Sequence, residues 1–128
     1  MKMLTAIEVR TIQAEVLTAH DGHTGLRDRE LLESALSVPQ ALGDEGSRDL
    51  VGIAAAYLYH LCRNRPFVDG NYRTALLVCL VFLEENGRLP VEQVSGSVWE
   101  AFVLDVAEGK LDQEQTSEGL KKLLQEMH

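Results

Sequence analysis

Apolar residues recur along this chain at spacings of three and four, the period of an α-helix with one buried face. No stretch alternates with period two for long enough to make a strand. Thr5 and Glu8 have the spacing of a capping box, each satisfying a free backbone N–H of the other's turn, and Ile7, Val9, Ile12, Val16 and Leu17 follow at helical spacing. The loop Asp21–Gly25, with two glycines, ends this first helix. Asp28 is a suitable N-cap for a second, carrying Leu31, Leu32, Ala35 and Leu36, which Pro39 is expected to stop. Gln40–Arg48, with Gly43, Asp44, Glu45 and Gly46, reads as an exposed loop or flap. A third helix runs from about Asp49 to Asn64, with Leu50, Ile53, Ala54, Tyr57, Leu58 and Leu61 on one face. After the loop Arg65–Gly70, a fourth runs from about Asn71 to Asn86. It is apolar nearly all round, so it is expected to be the central buried helix, with Gly87 as its C′ residue. Ser97 with Glu100 marks a further start, carrying Trp99, Phe102, Val103 and Val106 and ending at Gly109; a last amphipathic helix holds Leu120, Leu123 and Leu124. Asp112-Gln113-Glu114 fits the N-terminal turn of that helix, and Pro66 and Pro90 fall at expected breaks. The expected fold class is all-α, a compact bundle of about six helices around a central buried one, forming a single domain over residues 1–128.

Composition narrows the function. A hydrophobic fraction of 45% and a charged fraction of 25% are ordinary for a soluble globular chain, and 128 residues can bury a core without staples. A net charge of −8 argues against nucleic-acid binding by bulk electrostatics and against anionic membranes; it suits a basic partner such as a cationic peptide. Cys62 and Cys79 lie in apolar helical stretches and read as small buried hydrophobes in a reducing compartment. Met1 is followed by no long apolar signal region, and the most apolar run, Thr74–Leu83, is far shorter than the roughly 20 residues that cross a bilayer. The cytoplasm is the expected location.

The chemistry concentrates in Arg65-Pro66-Phe67-Val68-Asp69-Gly70-Asn71-Tyr72-Arg73, between two helices. A helix beginning near Asn71 leaves free N–H groups and partial positive charge at its first turn. Gly70 permits close backbone approach, Arg73 can fork onto phosphate oxygens, and Asp69 is a hard carboxylate able to hold Mg²⁺. Phe67 would turn inward and anchor the loop. Together these make an anion site with a metal ligand at its rim. The plainer alternative is a common Asp-Gly-Asn turn with an asparagine cap and a surface arginine.

Arg63-Asn64-Arg65-Pro66-Phe67-Val68-Asp69-Gly70-Asn71-Tyr72-Arg73-Thr74-Ala75-Leu76 resembles the motif of the Fic/Doc superfamily, His-Pro-Phe-x-Asp/Glu-Gly-Asn-Gly/Lys-Arg. Gly25-Leu26-Arg27-Asp28 followed by Leu31–Leu36 resembles the second-helix signature of the death-on-curing (Doc) branch, and Val81–Gly87 the end of its central helix. The resemblance covers nearly the whole chain and implies an all-helical Fic/Doc bundle. It further implies a site for ATP and Mg²⁺, in which a histidine deprotonates a target hydroxyl that attacks a phosphate. Fic enzymes transfer AMP, whereas Doc toxins phosphorylate elongation factor Tu and are neutralised by a Phd-type antitoxin. Carried over, Asp69 would hold Mg²⁺, Gly70 and Asn71 would form the anion hole, Arg73 would grip the distal phosphates and Arg63 would also reach the nucleotide. The implied protein is a type II toxin acting as a kinase or AMP transferase; the rival is a Fic-fold binding module without catalysis, regulated by an antitoxin-like partner.

Two positions depart from the pattern. Arg65 stands where the catalytic histidine is expected; arginine stays protonated and cannot act as a general base, a contribution of about 10²–10⁴-fold in rate. Natural drift and an inactivating substitution both account for it. Tyr72 stands where Fic enzymes have glycine and Doc toxins lysine, so it would crowd the phosphates or stack on a base, and it leaves AMP transfer versus phosphorylation open. Glu108-Gly109, with Leu104 four back, and Glu118-Gly119, with Glu114, do not match the self-inhibitory pattern of some Fic proteins. His20 and His23 flank Asp21 and Gly22 without the spacing of a metal site, and His60 is expected on the helix surface or against a neighbour rather than as a substitute base.

Overall fold

A computed structural model describes residues 1–20, 22–88 and 96–126 of the chain. Among them run six helices: α1 (Ala6–His20), α2 (Arg29–Asp44), α3 (Leu50–Asn64), α4 (Asn71–Glu85), α5 (Ser97–Ala107) and α6 (Gln113–Glu126). The fold is all-α, and the single β-feature among the described residues is an antiparallel bridge between Leu26 and Phe67. Among the described residues no helix is long and apolar enough to cross a membrane. Pro90, Asp21 and the side chain of His20, where a helix break and a histidine pair were weighed, lie outside the described residues.

The capping box at the start of α1 forms as expected: Glu8 N–H donates to Thr5 Oγ1 at 3.2 Å and Thr5 N–H to Glu8 Oε1 at 3.1 Å. Val9, Ile12, Val16 and Leu17 are buried, but Ile7 is 78% exposed. Two residues before Val9, it lies about 200° away around the helix and shares the outer face with Arg10 and Thr11.

Asp28 caps α2 by accepting the Leu31 N–H at 3.1 Å. This helix does not stop at Pro39. It runs on to Asp44, which converts the first part of the expected flap into helix and leaves only a short turn before α3. Proline removes one N–H donor, to the carbonyl four residues back, and Pro39 is buried in the core. The real terminus is a Schellman pair around Gly46, whose N–H donates to Gly43 O while Ser47 N–H donates to Leu42 O.

Asp49 caps α3 through the Gly52 N–H at 3.0 Å. The hub of the bundle is α3 rather than α4: it packs against α2, α4, α5 and α6, and Ile53, Ala54, Ala55, Ala56 and Leu58 are fully buried. Its run of alanines lets neighbours approach on several faces at once. Apolar α4 is the inner partner that packs against α1, α3 and α5. Tyr57 of α3 stacks tilted on Phe82 of α4 at 5.3 Å, and its hydroxyl accepts the Leu4 N–H at 3.0 Å. α4 closes in a Schellman pair at Gly87, as expected.

Ser97 is already the first helical residue of α5 and makes no cap bond; Gly96, at φ 107°, occupies the cap position. By contrast, Asp112 and Gln115 cap α6 reciprocally, at 2.8 and 3.0 Å. Phe102 of α5 packs against Gly119 of α6, where a Cβ would lie 2.6 Å from the ring. His60 is half-buried, with Nε2 2.8 Å from Gln113 Oε1 and its ring edge-on to Tyr59, the packing role expected of it.

Candidate phosphate-binding cleft

The α3–α4 connection is held by backbone bonds from two other parts of the chain. Residue 65 closes α3 in the left-handed conformation, φ 50° and ψ 57°, with its N–H on Leu61 O. Pro66 O accepts the N–H groups of Arg27 and Asp28 at 2.8 and 3.1 Å, and Val68 N–H donates to Gly25 O at 3.1 Å. Phe67 is 2% exposed, its ring buried in the core beneath the loop. From α1, buried Gln13 donates through Nε2 to Asp69 O at 3.2 Å and accepts the Gly25 N–H at 3.3 Å. Gly70 takes φ 71°, a conformation that disfavours any side chain, and a Cβ there would lie 2.9 Å from Leu17.

The loop opens on a cleft of ≈ 390 Å³, within the range of small-ligand pockets. Arg65, Asp69, Gly70, Asn71, Tyr72 and Arg73 all line it. It also contains Cys62 of α3 with Leu104 and Ala107 of α5 and Glu108 at the C-cap of that helix, none of which the motif reading included. Leu104 and Glu108 lie one helical turn apart, so the spacing alone put them on one face; nothing in the sequence put that face opposite the loop. Glu108 is paired with Lys110 at 3.1 Å. Gln13 was also missed, and its signal was a lone amide on the apolar face of α1.

Several of these side chains are engaged within the protein. In Asn71, Nδ2 donates to Phe67 O at 3.0 Å while Oδ1 accepts Phe67 N–H at 2.9 Å, closing a ring across the turn. Arg63 is not brought to the cleft. Its guanidinium lies against Gly109 and reaches Ala107 O at 3.4 Å, at the negative end of the α5 dipole. Tyr72 is partly buried against the core, with the Arg73 guanidinium 5.2 Å from its ring centroid, so the ring supports the arginine as a cation–π partner. Among the described residues, the backbone N–H groups of Tyr72 and Arg73 in the first turn of α4 have no acceptor.

Asp69 is exposed at the rim, accepting Gly70 N–H on Oδ1 at 2.8 Å and, at 3.4 Å, His23 N–H on Oδ2. No group of three or more His, Cys, Asp or Glu side chains suited to a metal ion occurs among the described residues. A cation here would therefore rest on one carboxylate, phosphate oxygens and water, a donor set that suits Mg²⁺. Burial pushes the Cys62 thiol up to about 12 despite the adjacent Arg63, and Cys79, wholly buried, is raised further, so neither is a nucleophile at neutral pH. Both are free thiols. The wall thus offers two guanidiniums, a helix N-terminus and two carboxylates, Asp69 at the rim and the Lys110-paired Glu108, with no histidine among the described lining residues.

The Fic/DOC family model matches residues 3–83, which takes in α1 to α3, the loop and nearly all of α4. The chain belongs to the Fic/Doc family. It is 42% identical over 79 residues to Toxin Doc of Mycolicibacterium smegmatis, covering 57% of this chain and 61% of the toxin. It is 31% identical over 88 residues to Protein kinase doc of Escherichia phage P1, covering 68% and 70%. The chain therefore spans about three fifths of the first of these relatives. The Fic/Doc match stops before α5, so the Leu104–Glu108 wall of the cleft belongs to a part of the chain outside it.

Proposed function

We propose that this chain is a Doc-like toxin of a type II toxin–antitoxin system, working in the cytoplasm, whose cleft binds ATP with Mg²⁺ and whose transferase step is weakened or lost. The observation that carries this reading is Arg65. In the motif resemblance it takes the histidine position, and its side chain is among those lining the cleft. For a target hydroxyl oxygen to attack phosphorus, its proton must leave. A guanidinium has no lone pair to take it. The same group pairs well with phosphate oxygens, so binding is retained while general-base catalysis is not.

In this reading Arg73 and Arg65 hold phosphate oxygens, and the open N–H groups of Tyr72 and Arg73 receive another. Asp69 would hold Mg²⁺, which would supply charge neutralisation on the phosphates. Phe67 and Asn71 keep the loop in shape. The names of the two relatives, a toxin and a protein kinase, support the class. The partners we assign are a Phd-type antitoxin and a protein target such as elongation factor Tu.

The second reading is a binding module without catalysis, and a specific observation favours it. Among the described residues no histidine lines the cleft, and His60 is engaged with Gln113. Label transfer decides between the two. ATP labelled separately on the α- and γ-phosphates is offered to the wild type and to Arg65→His with elongation factor Tu and a cell lysate. Labelling by Arg65→His alone supports the transferase reading, and the position of the label names phosphoryl or AMP transfer. Absence of labelling by both folded proteins leaves the binding module.

A further inference from the structure

Arg27 is a charged side chain that none of the described ion pairs includes. Its guanidinium closes on the backbone carbonyls that end α3. Nε and Nη2 donate to Arg65 O at 2.9 and 2.6 Å, and Nη2 donates also to Asn64 O at 3.1 Å. The carbonyl it grips hardest belongs to the only non-glycine with positive φ among the described residues. An L-residue resists that conformation, so something outside the residue must hold it.

The neighbouring bonds do not do this alone. Arg65 N–H reaches Leu61 O as in an ordinary helix end, and Asn64 Nδ2 donates to Leu31 O at 2.9 Å, which fixes the residue before. The Arg65 carbonyl is the group whose direction changes when the left-handed conformation relaxes, and among the described residues Arg27 alone donates to it. The bonds are charge-assisted and lie at the negative end of a helix, where a guanidinium is favoured.

We propose that Arg27 is the positioning residue of the cleft: by clamping the Asn64 and Arg65 carbonyls it holds residue 65 left-handed, and so aims whatever side chain stands there, arginine or histidine, at the bound phosphate. The left-handed turn is also what drops Pro66 and Phe67 inward, so one guanidinium couples the anchored loop to the reactive position. The inference rests on the phosphate-site reading for its binding readout, but not for its structural one.

The test is a double-mutant cycle in Mg²⁺–ATP affinity, by calorimetry, on the wild type, Arg27→Lys, Arg65→Ala and the double variant. Arg27→Lys keeps the charge and loses the fork. Each single change is expected to weaken binding about tenfold, and the double variant no further, because Arg27 acts only through residue 65. Losses that add to about a hundredfold overturn the proposal. A crystal structure of Arg27→Lys without nucleotide gives the second readout. Residue 65 should leave the left-handed region; if it keeps φ near 50° with its side chain at the cleft, the proposal fails. Should the wild type bind no ATP, the phosphate-site reading falls and the crystal structure alone decides. If Arg27→Lys does not fold, Arg27→Gln is read by the same two measures.

Discussion

Asn71→Ala separates a ligand-binding asparagine from a structural one. Its side chain makes two bonds to Phe67, at 2.9 and 3.0 Å, and none to the cleft. Removing the amide leaves the Phe67 N–H and carbonyl without partners at a half-buried turn. Each such group costs about 1–3 kcal/mol, and partial water access puts both near the low end, so the sum is about 2–3 kcal/mol. At about 2.1 cal/mol/K per residue, a chain of this length unfolds with roughly 0.27 kcal/mol/K, and the expected fall in Tm is about 7–11 °C. Asn71→Asp keeps the acceptor for Phe67 N–H and loses the donor, so it should fall between. The assay is thermal and urea unfolding without nucleotide or metal. If Asn71→Ala melts within about 2 °C of the wild type, the loop is held by other bonds and the assignment of Asn71 as its clasp is wrong.

Three further outcomes follow from the same structure. Phe67→Ala should lose about 3–5 kcal/mol in urea unfolding, since a buried ring is replaced by a cavity beneath the loop; a loss under about 1 kcal/mol would mean that the ring is not the anchor. Gly70→Ala combines a positive φ with a Cβ 2.9 Å from Leu17 and should cost about 2 kcal/mol, read by the same method. The thiols predict alkaline sensitivity. Cys62 is pushed from about 9 to about 12 by burial, so above pH 9 the unfolded thiol ionises while the folded one keeps its proton. Stability then falls by about 1.4 kcal/mol per pH unit for this thiol until pH 12. Buried Tyr57, also raised chiefly by desolvation, acts in the same direction. Cys62→Ala should flatten the decline between pH 9 and 11; an unchanged slope would falsify the assignment.

The helices were legible because local chemistry sets their starts. Thr5 with Glu8 and Asp28 cap where the side chains can reach a free N–H, whatever surrounds them. Three misreadings share one cause: local rules cannot see packing. Pro39 ended α2 on paper, but the loss of one hydrogen bond is offset where the ring is buried and the helix continues over α3. Ile7 matched the apolar rhythm yet faces outward. α4 had the more apolar sequence, while α3, with its alanines, holds the centre because more neighbours reach it.

The cleft divides in the same way. The motif residues 65 and 69–73 come together because they are close in sequence, in one short loop and the helix start that follows it. What each side chain does was not legible. Asn71 and Arg63 were assigned to phosphate by resemblance; the structure turns one onto the loop and the other onto the end of α5. Arg27 and Gln13 act across 38 and 56 residues respectively, distances at which no spacing rule operates.

The central claim is that the cleft still takes a nucleotide although its base is gone. Calorimetric titration of the wild type with Mg²⁺–ATP tests it most directly. The account predicts saturable binding in the micromolar to millimolar range, weakened about tenfold or more by Arg73→Ala and by Asp69→Ala in folded protein. No heat of binding up to millimolar ATP, or binding that neither substitution alters, would contradict it.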